Sequence, residues 1–214
     1  MWETLQEWTA TWPQPLTALW WTDGRGDSNT GEWPPLGPTA RSQRQAVAKQ
    51  AAGQVDAWLG PASGRSARAA RIAVRAGLLL WHDLLDESHS ESQSIEGEGP
   101  FHLGDYWHAI MHRREPDYGN ARYWLRRVGP HPVHDALSTQ IPALKRELLS
   151  ICGETPEVKN WLERVASSRW NADAMVSLCE TCARRPEGDG LVRLGEWLQA
   201  LEMTLLMDES LRAA

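Results

Sequence analysis

The residues of this chain that could do chemistry are concentrated in one stretch. All seven histidines of the 214 residues lie in it: His82, His89, His102, His108, His112, His131 and His134. Histidine titrates near neutral pH, and neutral imidazole is the commonest metal ligand in proteins. The clustering therefore indicates a metal site, a ligand site or a buried polar network.

Two groups of four polar residues recur at steps of three or four: Asp105, His108, His112 and Glu115 in one, and His82, Asp86, His89 and Gln93 in the other. On a helix, each group projects from one side. Helical bundles build metal sites in this way, from imidazoles and carboxylates on facing helices. The candidate metal ligands are thus His82, Asp86, His89, His108, His112 and Glu115.

Imidazole and carboxylate together suit Zn, Fe or Mn, and an incomplete set of protein ligands leaves a position for water or substrate. Because a bound metal lowers the pKa of that water, the pattern is compatible with a metal-dependent hydrolase or oxidoreductase. The same side chains could instead hydrogen-bond among themselves and fix how helices meet. The spacing leaves both alternatives open.

Arginines and aromatic residues surround the same stretch and favour an anionic ligand. Guanidinium groups bind carboxylate or phosphate in a bidentate manner, and aromatic rings hold apolar or cationic parts. The candidate ligand-binding residues are Arg113, Arg114, Asp117, Asn120, Tyr123, Trp124, Arg126, Arg127 and His131. The alternative is that the arginines pair with nearby acids, including those between Asp83 and Glu98.

The elements that must position these residues are helices. Apolar residues recur at helical spacing from residue 39 onward, and no stretch shows sustained two-residue alternation. We expect an all-α fold of stacked antiparallel helix hairpins, either tetratricopeptide-like or an irregular helical bundle. Residues 1–38 hold six of the 13 tryptophans with several Pro and Gly, which predicts an irregular cover over a single helical domain at 39–214.

A weak internal repeat of 33 residues supports the hairpin interpretation. Sliding the chain by that length places Ala76 on Ala109 and Ile95 on Val128. The run 109–132 resembles a tetratricopeptide unit, with Ala121 at the small position where the two helices touch and Pro132 at the closing proline. This resemblance implies helix hairpins that stack.

A longer resemblance extends over residues 75–207. The string YWHAIMHRREPDY at 106–118, followed by NA at 120–121, YW at 123–124, RRVG at 126–129 and HPV at 131–133, resembles the signature of an uncharacterised family of microbial helical proteins. VSLCE at 176–180 and EW at 196–197 are similar to its C-terminal part. The resemblance implies a helical fold and a site near this string, and no particular activity.

The overall charge and composition of the chain argue against nucleic-acid and membrane partners. A net charge of −6 offers no general attraction to nucleic acid or to anionic membranes. The longest apolar stretch, 76–81, is far shorter than a membrane span. Three cysteines without a recognisable secretion signal predict a cytoplasmic protein.

From the sequence, the first hypothesis is therefore a helical binding module with a polar pocket lined by His, Arg and Trp. Its ligand would be an anionic small molecule or peptide, and no nucleic acid or membrane partner is expected. The second hypothesis is the metal-dependent enzyme, and the third is a scaffold with a buried polar network.

Overall fold

The computed structural model describes residues 7–21, Leu36 and residues 45–214. Eleven α-helices lie wholly within them: α1 Gln14–Trp21, α2 Gln45–Ala52, α3 Val55–Leu59, α4 Gly64–Trp81, α5 Leu85–Ser94, α6 Leu103–Arg114, α7 Tyr118–Val128, α8 Pro132–Cys152, α9 Pro156–Ala166, α10 Ala172–Cys182 and α11 Gly190–Ala213. These described residues form no strand, which confirms the all-α prediction. Among them, no helix combines the length and the apolar character needed to cross a bilayer.

Several helix ends follow from local sequence. Asp117 accepts a hydrogen bond from the backbone N–H of Asn120 and caps the start of α7. Thr155 caps α9 in the same manner, and Pro156 takes the first helical position, where no N–H is needed. Gly129 ends α7 with a φ of 65°, a left-handed conformation that glycine adopts at little cost.

The polar group His82, Asp86, His89 and Gln93, which the sequence places on the hairpin before α6, is divided between two helices. Helix α4 ends at Trp81, and Asp83 has a φ of 60°, in the left-handed region. A new helix, α5, begins at Leu85. Because the chain changes direction between them, His82 lies at the end of α4, whereas His89 lies in α5.

Helix α11, the longest helix, lies at the centre of the bundle. It contacts α9 and α10, which precede it in sequence, and also α4, α6 and α8 from more distant parts of the chain. In a solenoid of stacked hairpins, each unit contacts only its neighbours. The arrangement is therefore an irregular helical bundle, one of the two alternatives that the sequence predicts.

The described part of the N-terminal segment packs on this bundle through tryptophan rings. Trp20 is fully buried and stacks on Trp81 of α4, with ring centroids 3.9 Å apart. Trp81 Nε1 donates to the backbone carbonyl of Trp20 at 2.9 Å, and Trp20 Nε1 donates to Thr204 Oγ1 in α11 at 3.3 Å. The predicted domain boundary near residue 38, together with Trp2 and Trp33, lies outside the described residues.

Candidate functional site

Three histidines from two helices meet beside the α6–α7 hairpin. His89 comes from α5, and His108 and His112 come from α6, one turn apart. One ring nitrogen of each lies within 4.8 Å of those of the other two. His89 is partly exposed, whereas His108 and His112 are buried, so the cluster reaches solvent on its His89 side.

A close helix approach brings α5 onto α6. Gly104 lies in the first turn of α6, and a Cβ atom there would lie 2.6 Å from Ile95 Cδ1, just after α5. Only a residue without a side chain leaves room for this approach. Four residues later, on the same face of α6, His108 meets the ring of His89 edge-on, with centroids 4.6 Å apart.

His108 is the most unusual side chain of the cluster. It is 1% exposed, and neither of its ring nitrogens has a hydrogen-bond partner among the described residues. Burial, with His112 and His89 nearby, lowers the pKa of His108 to about 3. The ring is therefore neutral at physiological pH, with an unpaired acceptor nitrogen in the interior, an arrangement that costs stability unless a partner binds.

His112 is held by two neighbours. Its Nδ1 lies 3.2 Å from a carboxylate oxygen of Glu115. The amide nitrogen of Asn120 lies 3.0 Å from Nε2 and 3.4 Å from Nδ1 of the ring. An atom this close to both nitrogens lies over the ring face, because in the ring plane it would overlap Cε1.

Because Asn120 lies over the face of the His112 ring, it does not block the in-plane lone pair of either ring nitrogen. Burial lowers the pKa of His112, an effect that the Glu115 carboxylate opposes. When Nδ1–H donates to Glu115, Nε2 is left as the acceptor and potential ligand.

Aromatic stacking connects the cluster to α7. The rings of His108 and Trp124 are nearly parallel, at 27°, with centroids 4.1 Å apart. His108 and His112 are also nearly parallel, at 22°, with centroids 4.7 Å apart. The guanidinium of Arg127 lies 4.9 Å from the centre of the Trp124 ring, which adds a cation–π contact on the outer side of the cluster.

The other three predicted metal ligands do not join the group. Among the described residues, the set whose ligand atoms lie within 4.8 Å consists of the three histidines alone. His82 is buried at the end of α4, and Asp86 is exposed on α5. Glu115 lies behind His112, where it can orient the ring.

The two arginines at the end of α6 point away from the histidines and are fully buried. Arg113 forms an ion pair with Glu202 of α11 and contacts Gln199 Oε1 at 3.4 Å. Arg114 pairs with Asp83 and donates to the backbone carbonyl of Leu80 at 2.6 Å. These guanidinium groups lie in the interior and fasten α6 to its neighbours, so no anion can reach them from solvent without displacing those contacts.

The remaining candidates for ligand binding are dispersed. Tyr123 is 46% exposed and Arg126 is exposed on α7. Arg127 pairs with Glu96 at 2.9 Å and lies 3.8 Å from Asp105. His131 is buried on the other side of α6, where its ring centroid is 4.9 Å from that of Tyr106.

Sequence reasoning missed the partner of Arg113. Glu202 is fully buried and also accepts a hydrogen bond from Tyr106 Oη at 2.8 Å. The available signal was a single carboxylate within the apolar run 197–207 of the last helix. A charge on the apolar face of a helix predicts a buried partner of opposite sign.

The fold and the cluster define an all-α bundle with a three-histidine centre between α5 and α6. A scan of family models finds no match, and searches of curated proteins and solved structures find no significant similarity. The family resemblances noted from the sequence therefore stay predictions.

Proposed function

We propose that this protein binds a divalent transition-metal ion through His89, His108 and His112 and uses it for hydrolytic chemistry. The observation that carries the proposal is the convergence of one nitrogen from each ring within 4.8 Å. The two unpaired, buried nitrogens of His108 point to the same conclusion, because buried polar atoms normally have a partner.

The ligand set favours zinc among the ions that the sequence suggested. Three imidazoles suit Zn²⁺, whereas Fe and Mn sites more often include carboxylates. A tetrahedral zinc ion with ligands at about 2.05 Å needs donor nitrogens about 3.4 Å apart. The donors, now within 4.8 Å of one another, reach that spacing through side-chain rotation and small shifts.

Three protein ligands leave one position of a tetrahedral ion open, which is the arrangement of catalytic rather than structural zinc sites. An ion held there would lower the pKa of a bound water and supply a nucleophile near neutral pH. Partial exposure of His89 supports access from solvent. The carboxylate of Glu115 would orient His112 from behind.

The other two hypotheses have less support. An anion-binding pocket stays a prediction. It is less favoured because Arg113, Arg114 and Arg127 each already pair with a carboxylate. A scaffold role for the histidines stays a prediction as well. It is less favoured because the ring of His108, at the centre of the cluster, makes no hydrogen bond to any residue that the structure describes.

A reducing compartment such as the cytoplasm is part of the proposal. Cys152, Cys179 and Cys182 are all buried free thiols. Burial raises the pKa of Cys152 to about 12 and that of Cys179 to about 11, so these thiols stay protonated and unreactive.

The test is metal analysis of protein purified without chelator and without a nickel-affinity tag. We expect about one zinc ion per chain, and its loss in the double variant His108→Ala/His112→Ala. The matched control is His102→Ala, which removes a histidine at the start of α6 whose side chain is 46% exposed and lies outside the cluster.

Zinc at similar levels in both variants would place the ion elsewhere. A metal-free wild-type chain whose melting temperature ignores added Zn²⁺ would contradict the proposal. Hydrolysis of a generic ester that depends on zinc and is lost in the double variant would support the catalytic part of the proposal, and a zinc-loaded chain without it would limit the site to binding.

A further inference from the structure

The ring orientations in the histidine cluster are incompatible with a shared ion as they stand. An imidazole nitrogen donates its lone pair in the plane of the ring, so a bound ion lies close to that plane. The rings of His108 and His112 are tilted by only 22°, with centroids 4.7 Å apart. The two rings are stacked, so their planes are nearly parallel and an ion in the plane of one ring lies out of the plane of the other.

His89 does not share this conflict. Its ring is tilted by 75° from that of His108 and by 77° from that of His112. Since its plane crosses both of the others, His89 can share an ion with either ring. One ring of the stacked pair must therefore turn before all three can bind.

The contacts of the two rings indicate which one turns. His112 is fastened at Nδ1 by Glu115 and covered on one face by Asn120. Neither nitrogen of His108 bonds to a described residue, and its ring stacks on Trp124 with centroids 4.1 Å apart. Rotation of His108 breaks its stacking contacts with Trp124 and His112 but no hydrogen bond to a described residue.

We infer that metal binding requires His108 to leave the ring of Trp124, so that Trp124 lowers the metal affinity of the site and senses its occupancy. The inference rests on the proposed metal site. Trp124 also forms the cation–π contact with Arg127. Loss of the His108 stack on metal binding would therefore change the surroundings of Arg127 on the exposed face of α7.

Stacked aromatic pairs contribute about 0.5–1.5 kcal/mol, which corresponds to roughly a two- to tenfold change in affinity. Trp124→Leu keeps an apolar side chain and removes the stack, so we expect it to bind Zn²⁺ about two- to tenfold more tightly than the wild type. Trp124→Phe keeps a stacking ring and is the matched control, with an affinity within about twofold of the wild type.

The experiment measures zinc affinity of the full-length wild type and both variants by competition with a chromophoric chelator. Near-UV circular dichroism of the same samples follows the tryptophan environment. Zn²⁺ is the probe because it has no redox chemistry of its own. We expect a zinc-induced spectral change in the wild type that is smaller in both variants, which lack the indole at position 124.

Equal affinities in the wild type and Trp124→Leu, or weaker binding in Trp124→Leu than in Trp124→Phe, would overturn this inference and leave the metal site intact. If Trp124→Leu does not fold, a zinc-induced spectrum that is identical in the wild type and Trp124→Phe overturns it. Failure of all three chains to bind zinc would instead overturn the proposed function, and this inference with it.

Discussion

Arg113 in α6 and Glu202 in α11, 89 residues apart in sequence, form an ion pair that is shielded from solvent. Glu202 accepts a second hydrogen bond from Tyr106 Oη. Burial and the Glu202 carboxylate together raise the pKa of Tyr106 well above its ordinary value. The pair joins the helix that carries two of the three site histidines to the central helix of the bundle.

Removal of one partner of this pair should be strongly destabilising. Glu202→Leu leaves the Arg113 guanidinium buried without a counter-charge, and we expect the free energy of unfolding to fall by about 3–5 kcal/mol. The double variant Arg113→Met/Glu202→Leu removes both charges and should recover much of that loss. Urea denaturation of the three chains measures both effects.

The control for this prediction is the exposed pair of Lys159 and Glu154, which are 2.9 Å apart with side chains 43% and 68% exposed. Lys159→Ala should change the free energy of unfolding by less than about 1 kcal/mol. A Glu202→Leu variant as mild as Lys159→Ala would show that the buried pair is unimportant for stability.

His131 should make the protein less stable in acid. Burial, with His134 and His102 nearby, lowers the pKa of His131 to about 3 from an ordinary value of 6.5. Between these values the unfolded chain binds a proton at this position and the folded chain does not. Stability is therefore fully present above pH 6.5 and declines as the pH falls toward 3, by on the order of 3 kcal/mol at pH 4.

The variant His131→Asn isolates this contribution. The Nδ1 atom of His131 accepts from the backbone N–H of Val133 at 3.1 Å and caps α8, and asparagine can provide the same cap without titrating. Unfolding measured from pH 7 to pH 4 should show a shallower decline in the variant. Parallel pH profiles would show that other groups cause the decline.

Gly104 should tolerate no side chain, because α5 and α6 meet there. A methyl group would lie 2.6 Å from Ile95 Cδ1, and overpacking of this kind costs about 1–3 kcal/mol. We expect Gly104→Ala to lower the melting temperature and to displace His89 from His108, so that zinc affinity falls as well.

Gly119→Ala is the matched control on the neighbouring helix. Its new methyl group would meet Asp117 Oδ1 at 3.7 Å, an ordinary contact, and alanine is the better helix former. If Gly104→Ala proved as stable as Gly119→Ala, the close approach would not be what positions α5.

The helical class and much of the site could be predicted from the sequence because both depend on short-range order. Helical spacing places Asp105, His108 and His112 on one face of α6, with Glu115 directly after the helix end. In the structure this face meets α5 through His89 and α7 through Trp124. Helix starts at Pro132 and Pro156 were predictable for the same reason, since proline fits the first turn.

The rest depends on contacts between distant residues. No local signal separates Arg113 and Arg114, which are buried with Glu202 and Asp83, from Arg126, which is exposed. The left-handed backbone conformation of Asp83 could not be predicted from the sequence either, because aspartate adopts that conformation only in some contexts. Consequently His82 was assigned to the site although it ends a different helix.

His108→Phe should separate the metal-site hypothesis from the scaffold hypothesis. Phenylalanine can keep the stack on Trp124 and removes two buried nitrogens that lack partners. If the histidine is kept for metal binding, its removal should stabilise the metal-free protein by about 1–2 kcal/mol while zinc binding is lost. If the ring instead belongs to a network that holds the helices together, the same substitution should destabilise the protein by a similar amount. Thermal denaturation with a chelator present and with excess zinc distinguishes the two outcomes, because in the first case only the wild type is stabilised by zinc.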